Sequence, residues 1–258
     1  MLERLERILQ EAGALLLDRR SRADFTFRRQ GVAVQASVDI EAHHCLVRSL
    51  SALSPGVPVL SEEDADARRG DRPAEYWLID PLDGTASFVD GYDGFVTQAA
   101  LIRGSQLLVA GVHAPALGQM FLAEAGGGAT CNGKRILVSA RPAVNWILTD
   151  NYAEPRGVAA DLMQAWQIPN YLECGSIGLK LCRVADGSAD IFIKDVRVRD
   201  WDVAAPQLVL LEAGGVLTDY SGQPFTYAGD FERNGLVACA SGDAARRILD
   251  WSKQREKA

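Results

Sequence analysis

Three features of this 258-residue sequence predict an α/β fold. Apolar residues recur at helical spacing over residues 2–19, which predicts an N-terminal helix. A β-rich pattern with frequent turn signals fills residues 95–138, and after it short strands alternate with helices. Such alternation is typical of a sheet that is covered by helices. We expect two closely packed parts, an α+β part over residues 1–140 and an α/β part over residues 141–258.

The N-terminal part is predicted to contain two helices and two short buried strands before its β-rich region. These elements are expected over residues 2–19, 39–53, 57–60 and 76–79. The second helix should end before Ser54-Pro55-Gly56, because proline and glycine favour a turn there. Within the β-rich region, Asn132-Gly133 suits a tight hairpin.

The C-terminal part is predicted to alternate between four strands and four helices. The strands are expected over residues 147–149, 171–173, 191–193 and 236–240. The helices are expected near residues 157–166, 176–187, 202–213 and 242–254. Pro206 then lies within the first turns of the third of these helices, where proline is tolerated best.

Composition argues against several classes of function. The net charge is −7, the pI is ≈ 5.1 and no stretch concentrates Lys and Arg, so nucleic-acid binding is not expected. Five cysteines without a CxxC pair argue against a disulfide framework or a zinc site and favour the reducing cytoplasm. No segment reaches the ~18 apolar residues of a membrane span, and the N-terminus does not resemble a signal peptide. We therefore expect a cytoplasmic protein with no membrane partner.

The chemistry is predicted to reside in residues 80–88, with the sequence Asp-Pro-Leu-Asp-Gly-Thr-Ala-Ser-Phe, at the end of a buried strand. Asp80 and Asp83 repel each other, which favours either protonation of one carboxyl group or a bound cation. Oxygen ligands of this kind suit Mg²⁺ better than zinc. A helix that begins near Thr85 would add free N–H groups for a phosphate. A simple turn would explain Asp-Gly alone, but it does not explain the whole string.

Three further acidic residues are candidates for the same site. Glu62 follows a predicted strand, whereas Asp39 and Asp202 each lie at the start of a predicted helix. Each also has a simpler interpretation, because paired glutamates often lie on a solvated face and an aspartate in a first turn often caps its helix. The spacing of Asp80 and Asp83 differs from the Asp-x-Asp of aspartyl-phosphate enzymes. We therefore interpret Asp80 as a metal ligand rather than a nucleophile.

Together these strings resemble the inositol monophosphatase family of magnesium-dependent phosphatases. The likeness spans nearly the whole chain and rests on residues 61–63, 80–88, 126–129, 132–133, 175–176, 201–205 and 212–215. It implies a five-layer αβαβα sandwich of the sugar-phosphatase type and a phosphoric monoester hydrolase. It also implies a homodimer that is inhibited by lithium.

The resemblance assigns roles to individual residues. Two or three Mg²⁺ ions would be held by Glu62, Asp80, Asp83, Asp202 and the carbonyl of Leu82. The catalytic residues would be Thr85, Asp39 and Glu62, of which Thr85 and Asp39 position the attacking water and help to remove its proton. The substrate would contact Gly84, Thr85, Gly175, Ser176, Lys194 and Asp195.

The substrate is the least determined feature. The family's inositol phosphatases carry a glutamate about seven residues before the aspartate that matches Asp202, and this segment offers Asp195 or, by another count, Lys194. Lys194 resembles the pattern of 3′(2′),5′-bisphosphate nucleotidases that act on 3′-phosphoadenosine 5′-phosphate, whereas the spacing over residues 175–182 resembles the inositol enzymes. We expect a small phosphorylated metabolite as partner, with inositol monophosphate or a similar polyol or sugar phosphate favoured. The bisphosphate nucleotide, histidinol phosphate and a non-catalytic regulatory role are alternatives.

Overall fold

The structure is a computed structural model that describes residues 1–30, 33–64 and 71–255. Seven α-helices occur within these ranges: α1 (Leu2–Ser21), α2 (Ser37–Leu53), α3 (Thr85–Val89), α4 (Gly157–Trp166), α5 (Ile177–Ala185), α6 (Asp200–Glu212) and α7 (Gly242–Arg255). The strands of the first half are β1 (Phe27–Gln30), β2 (Ala33–Ala36), β3 (Val59–Ser61), β4 (Glu75–Asp83), β5 (Val96–Arg103), β6 (Gln106–Ala114), β7 (Gln119–Glu124), β8 (Gly128–Cys131) and β9 (Lys134–Ile136). Those of the second half are β10 (Ile147–Asp150), β11 (Asn170–Glu173), β12 (Ile191–Arg199), β13 (Val216–Thr218) and β14 (Glu232–Cys239).

Two large sheets organise the described chain. Strands β3 to β9 form a seven-stranded sheet in sequential order, in which β3 and β4 run parallel and the other neighbours run antiparallel. Strands β10 to β14 form a five-stranded sheet in the order β11-β10-β12-β14-β13. There β10 runs parallel to both of its neighbours, β11 and β12. A separate hairpin pairs β1 with β2.

Helices cover both faces of both sheets, which confirms the expected five-layer αβαβα sandwich. Helices α1 and α2 pack on the outer face of the large sheet, in an apolar cluster that includes Leu5, Leu46 and Trp77. Helices α5 and α6 fill the layer between the sheets, where one apolar cluster joins residues of both. Helices α4 and α7 cover the outer face of the small sheet. Burial of apolar surface in these three layers is the main force that stabilises the sandwich.

Strand β4, which carries Asp80 and Asp83, is apolar along most of its length. Tyr76 and Leu78 face the central helices, whereas Trp77 and Ile79 face α1 and α2, as the two-residue period of a strand requires. Because both faces are covered, the strand reads as a continuous apolar run rather than as an alternating one.

Most predicted elements are present within two or three residues of their expected bounds, and three strands were missed. The unpredicted strands are β1, β2 and β13, which have three or four residues each. Helix α6 begins at Asp200 rather than at Asp202, so Pro206 lies two residues deeper in the helix than expected. Within the described ranges, no helix combines the length and the apolar character that crossing a membrane requires.

Candidate active site

The parallel pair β3 and β4 brings the first two acidic residues together. Parallel strands end at the same edge of a sheet, and Ser61 is in register with Ile79. Glu62 follows the last residue of β3 and Asp80 follows Ile79 in β4, and the Glu62 N–H donates to the Ile79 carbonyl at 3.4 Å. Strand pairing alone therefore places Glu62 beside Asp80, although they are 18 residues apart in the chain.

Helix α6 adds a third carboxylate from a distant part of the chain. Glu62, Asp80 and Asp202 each offer one oxygen, and these oxygens lie within 4.8 Å of one another. Asp80 is 1% exposed. Its Oδ1 accepts from the Leu82 N–H at 3.0 Å, whereas its Oδ2 is buried without a hydrogen-bond partner. A buried carboxylate oxygen without a hydrogen-bond partner, on a residue that is clustered with two other carboxylates, fits a bound divalent cation.

Asp83 lies beside this cluster and connects it to helix α5. The register of β4 shifts between Asp80 and Asp83, which turns the end of the strand. The Gly178 N–H in the first turn of α5 donates to Asp83 Oδ2 at 2.6 Å. A side chain at position 178 would place a Cβ 3.0 Å from the same oxygen and 2.5 Å from Gln98 Oε1. The absence of a Cβ at Gly178 therefore lets α5 approach Asp83 and Gln98 without displacing their side chains.

Asp39 and Asp202 occupy equivalent positions in their helices. Each is the third residue of its helix, and one carboxylate oxygen accepts from the backbone N–H of the residue that precedes the helix. These N–H groups belong to Ala36 at 2.9 Å and to Arg199 at 3.0 Å. The other oxygen of Asp39 is buried without a hydrogen-bond partner. Both interpretations of Asp202 are therefore correct. One of its oxygens caps the start of α6, and the residue also lies within the acidic cluster with Glu62 and Asp80.

Burial raises the pKa of four aspartates at or beside this cluster, Asp39, Asp80, Asp83 and Asp202. Burial first, and then the charges of Glu62, Asp83 and Asp202, raise the pKa of Asp80 well above its usual range. Burial also raises the pKa of Asp202 well above that range, with further contributions from Asp83 and Glu62. The pKa of Asp83 is raised by burial, although the Gly178 N–H opposes the shift. Burial raises the pKa of Asp39 to about 7, with smaller contributions from Glu63 and Glu62.

The loop after β4 leads directly into α3. Gly84 has a φ of 92°, in the left-handed region that favours glycine, and precedes the helix as its cap. The Thr85 hydroxyl donates to the Leu82 carbonyl at 3.1 Å. The expected short helix therefore begins at Thr85. The Thr85 hydroxyl contacts the Leu82 carbonyl, which the family resemblance predicts to be a metal ligand.

A cleft of about 450 Å³ opens next to Asp83. Four predicted substrate residues line it, namely Gly84, Gly175, Ser176 and Lys194. The Ser176 side chain caps α5 by accepting from the Leu179 N–H at 3.1 Å. The backbones of Gly175 and Gly94 touch so closely that a Cβ at position 175 would lie 1.9 Å from the Gly94 carbonyl oxygen. This contact fixes the start of α5 against the loop that follows α3.

Asp195 is not among the residues that line this cleft. It lines a larger cavity of about 1000 Å³ with Arg197, Tyr220 and Arg255, and Arg255 lies 3.6 Å from its carboxylate. Lys194 and Asp195 point in different directions because neighbouring side chains alternate along a strand. None of Glu62, Asp80, Asp83 or Asp202 lines the larger cavity. Although it is larger, this cavity is therefore not the candidate active site.

Three residues that the sequence interpretation missed lie at or near the site. Arg199 donates from Nη1 to Glu62 Oε1 at 3.2 Å. Lys180 and Asn151 line the cleft, and their side chains contact each other at 3.3 Å. A lysine between Leu179 and Leu181 in an apolar helix was a usable signal for Lys180, because a buried charge needs a partner. No comparable pattern marks Arg199.

The chain is similar to known proteins in both sequence and fold. A sequence model described as the Inositol monophosphatase family matches residues 1–255. A fructose-1,6-bisphosphatase/inositol-1-monophosphatase of Thermotoga maritima is 32% identical over 220 residues, which cover 84% of each chain. A 3′(2′),5′-bisphosphate nucleotidase CysQ of Aggregatibacter actinomycetemcomitans is 32% identical over 238 residues, covering 88% of this chain and 87% of the relative. The solved structure of a Thermotoga maritima IMPase superposes with a TM-score of 0.81 at 26% identity and covers 96% of both chains.

Proposed function

The chain belongs to the inositol monophosphatase family and is a phosphoric monoester hydrolase, and from that premise we propose that it hydrolyses a small sugar or polyol phosphate with Mg²⁺ as cofactor. The observation that carries the proposal is the convergence of Glu62, Asp80 and Asp202 within 4.8 Å. Three carboxylates at this separation would repel one another strongly without a cation between them.

The residues of this chain would hold two or three Mg²⁺ ions through oxygen atoms alone. The proposed ligands are the carboxylates of Glu62, Asp80, Asp83 and Asp202 and the carbonyl of Leu82. When bound, the metal would supply a low-pKa water and neutralise the negative charge of the phosphate. Asp80 is held by its hydrogen bond from Leu82, and Asp83 by its bond from Gly178, so both are oriented before a cation arrives.

Thr85 and Asp39 are proposed to handle the attacking water and its proton. The Thr85 hydroxyl donates to the Leu82 carbonyl, which leaves its oxygen lone pairs available to accept a hydrogen bond from a water. Asp39 has a buried oxygen without a partner and a pKa of about 7. A base is most effective when its pKa lies near the working pH. Glu62 is proposed to act both as a metal ligand and, with Thr85 and Asp39, as a catalytic residue.

The cleft beside Asp83 is proposed to receive the phosphorylated molecule. Its volume of about 450 Å³ lies within the range of small-molecule sites, and polar side chains line much of it. Gly84 and Thr85 would present backbone N–H groups to the phosphate, while Gly175, Ser176 and Lys194 would face the leaving group. Asp195 lines another cavity, so we do not include it in the proposed substrate contacts.

Release of inorganic phosphate tests the proposal. The purified protein is assayed in Mg²⁺ and in EDTA against inositol 1-phosphate, fructose 1,6-bisphosphate, 3′-phosphoadenosine 5′-phosphate and histidinol phosphate. We expect release from at least one ester in Mg²⁺ and none in EDTA. Asp83→Asn should abolish release, whereas Asp243→Asn, at an exposed position in α7, should not change it. Release that persists in EDTA would contradict the metal-dependent mechanism.

A bisphosphate nucleotide is the second candidate substrate. Lys194 lines the cleft and supplies a positive charge that a polyol does not need. The CysQ relative is named for this activity, and its similarity covers most of both chains. In the same assay, a higher kcat/KM for 3′-phosphoadenosine 5′-phosphate than for inositol 1-phosphate would favour this candidate.

Three further properties are proposed from family membership. The protein is proposed to form a homodimer, to work in the cytoplasm and to be inhibited by lithium. Sedimentation of the purified protein tests the dimer, and titration of LiCl into the phosphate-release assay tests the inhibition. A monomer at all concentrations, or activity unchanged by lithium, would remove the corresponding property from the proposal.

A further inference from the structure

Arg72 connects three separate parts of the fold at the start of α6. Its guanidinium group donates from Nη2 to Asp200 Oδ2 at 2.5 Å and from Nη1 to the Tyr76 hydroxyl at 3.0 Å. It also donates to the carbonyl oxygens of Gly229 at 3.1 Å and Asp230 at 2.9 Å, in the loop before β14. The Arg72 side chain is 8% exposed. The rigid fork of one buried guanidinium group therefore joins β4, α6 and this loop.

The ion pair between Arg72 and Asp200 is shielded from water. The Asp200 side chain is 0% exposed, and its Oδ1 is buried without a hydrogen-bond partner. Within the described ranges, Arg72 supplies the one hydrogen bond that the Asp200 carboxylate makes. The ring of Phe231 covers the guanidinium group, with 3.8 Å between its centroid and Cζ. A buried ion pair adds little net stability compared with apolar residues of similar size, but it can specify how the elements that it joins are arranged.

The start of α6 is held from outside the helix at the two residues that precede Asp202. Asp200, the first residue of α6, is held by the buried arginine. Trp201 is held through its carbonyl, which accepts from Gln98 Nε2 at 2.9 Å. Gln98 lies on β5 in register with Asp80 on β4. Because the first turn of a helix lacks a preceding turn to hold it, these contacts determine where Asp202 lies.

The position of α6 relative to β4 matters because each carries one of the proposed metal ligands. Tyr76 lies on β4 four residues before Asp80, and Asp200 lies on α6 two residues before Asp202. Arg72 contacts both Tyr76 and Asp200, so it spans the two elements. Mg²⁺ takes oxygen ligands at about 2.0–2.1 Å in nearly octahedral geometry. A small displacement of α6 would therefore weaken Mg²⁺ binding even in a folded protein.

We propose that Arg72 is a positioning residue for the metal site, which holds the start of α6 against β4 through Asp200 and so places Asp202 relative to Asp80. This inference rests on the proposed function, because it takes Asp80 and Asp202 as ligands of Mg²⁺. Arg72 does not line the cleft beside Asp83, so it acts on the metal site through α6 rather than on the substrate. Replacing a residue that orients metal ligands typically costs about tenfold to a hundredfold in metal affinity or activity.

Binding of Mg²⁺ to the purified protein, measured by calorimetry without substrate, tests the proposal. Arg72→Met removes the guanidinium group and should raise the dissociation constant for Mg²⁺ by about tenfold or more. In the phosphate-release assay, the Mg²⁺ concentration for half the maximal rate should rise by a similar factor, whereas kcat at saturating Mg²⁺ should change by less than about threefold. Arg103→Met is the matched control, because Arg103 pairs with Glu75 of β4 at an exposed position, and it should leave these values unchanged. Equal Mg²⁺ affinity of Arg72→Met and the wild type would overturn the inference.

A double variant separates positioning from stability. Arg72→Met leaves the buried Asp200 carboxylate without its partner, so it should also lower the urea midpoint of unfolding. Arg72→Met/Asp200→Asn removes both charges and should regain part of that midpoint while its Mg²⁺ affinity stays low. Recovery of the wild-type affinity in the double variant would make the ion pair merely structural and would overturn the inference. If Arg72→Met does not fold, the double variant and Arg72→Lys, which keeps the charge but not the planar fork, are compared with the wild type in the same way.

Hydrogen exchange of the metal-free protein distinguishes failure of this inference from failure of the proposed function. The Arg199 N–H donates to Asp202 at 3.0 Å and therefore reports the position of that carboxylate. In EDTA it should exchange faster in Arg72→Met than in the wild type, whereas the Leu179 N–H, which donates to Ser176 at the start of α5, should not change. If the wild type neither binds Mg²⁺ nor releases phosphate, the proposed function fails, but faster exchange confined to Arg199 still supports the positioning role. Unchanged exchange at Arg199, or equal acceleration at both N–H groups, would refute it.

Discussion

At the scale of single residues, Thr85 offers the clearest separation between metal binding and catalysis. Its hydroxyl donates to the Leu82 carbonyl but is not among the carboxylates that would hold the cation. Thr85→Ala should therefore keep the stabilisation by Mg²⁺ while lowering kcat by about 10²-fold to 10⁴-fold, the usual contribution of a group that assists proton transfer.

Thr85→Ser is the matched variant, because it keeps the hydroxyl and removes only a methyl group. It should retain most of the wild-type kcat. Phosphate release gives the rates, and thermal unfolding with and without Mg²⁺ gives the metal response. A wild-type rate in Thr85→Ala would remove Thr85 from the mechanism, and loss of the Mg²⁺ response would make it a structural residue.

Individual residues differ in how far the sequence alone predicts them. Asp80 and Asp83 could be assigned from their own string, because two carboxylates three residues apart behind a buried strand favour a bound cation. The sequence around Glu62 and Asp202 also allowed a simpler local role for each residue. In the structure, strand pairing and helix packing bring both residues to the acidic cluster. Lys180 carried a usable signal as a lysine in an apolar helix, but its place in the cleft could not be predicted, because the cleft is built from elements that lie far apart in the sequence.

At the scale of secondary-structure elements, the start of α5 determines the geometry of the cleft. Gly175 lies against the Gly94 backbone, and the Ser176 N–H donates to the Gly94 carbonyl at 2.7 Å. Gly175→Ala would insert a Cβ 1.9 Å from that carbonyl oxygen, so the start of α5 must move. We expect a loss of about 1–3 kcal/mol or more in the free energy of unfolding. Phosphate release should also fall, since Gly178 then no longer positions Asp83.

Gly242→Ala provides the control for this variant. Gly242 also lies at the start of a helix, but an added Cβ would meet nothing closer than Val216 at 3.9 Å. Its free energy of unfolding should change by less than about 0.5 kcal/mol, with unchanged phosphate release. Urea unfolding of both variants makes the comparison. Equal stability of the two would show that α5 tolerates displacement from Gly94.

The helices with a long apolar pattern were predicted most accurately. Helix α4 matches its expected bounds of 157–166, and α1 and α7 differ by no more than two residues from theirs. Strand β1 contains Arg28 and Arg29 and lacks the apolar alternation of a half-buried strand, so no pattern marked it. Strand β13 has three residues and forms only because β14 offers it an edge. The missed strands are therefore those that form by pairing with a neighbouring strand and carry no clear pattern in their own sequence.

At the scale of the whole molecule, the acidic site opposes folding unless its charge is neutralised. Burial raises the pKa of Asp80, Asp83 and Asp202, and it raises that of Asp39 to about 7. A carboxyl group with a higher pKa in the folded state stabilises the fold below its unfolded pKa of about 4, and that stability is lost as pH rises through the folded pKa. The metal-free protein should therefore lose this contribution between about pH 4 and pH 7 or higher.

Binding of Mg²⁺ should reverse that loss, and the gain should grow with pH. The free energy of unfolding is measured by urea denaturation from pH 5 to pH 8, in EDTA and in Mg²⁺. Above the dissociation constants, each tenfold rise in free Mg²⁺ should add about 1.4 kcal/mol for every ion bound, because the ions bind only the folded chain. Asp80→Asn removes one buried charge, so in EDTA its stability should fall less with pH than that of the wild type, and its gain from Mg²⁺ should be smaller. Asp243→Asn removes an exposed charge and should follow the wild type in both conditions. A gain from Mg²⁺ that is the same at pH 5 and pH 8, or an Asp80→Asn profile that coincides with the wild type, would mean that the carboxylates are stable together without a cation.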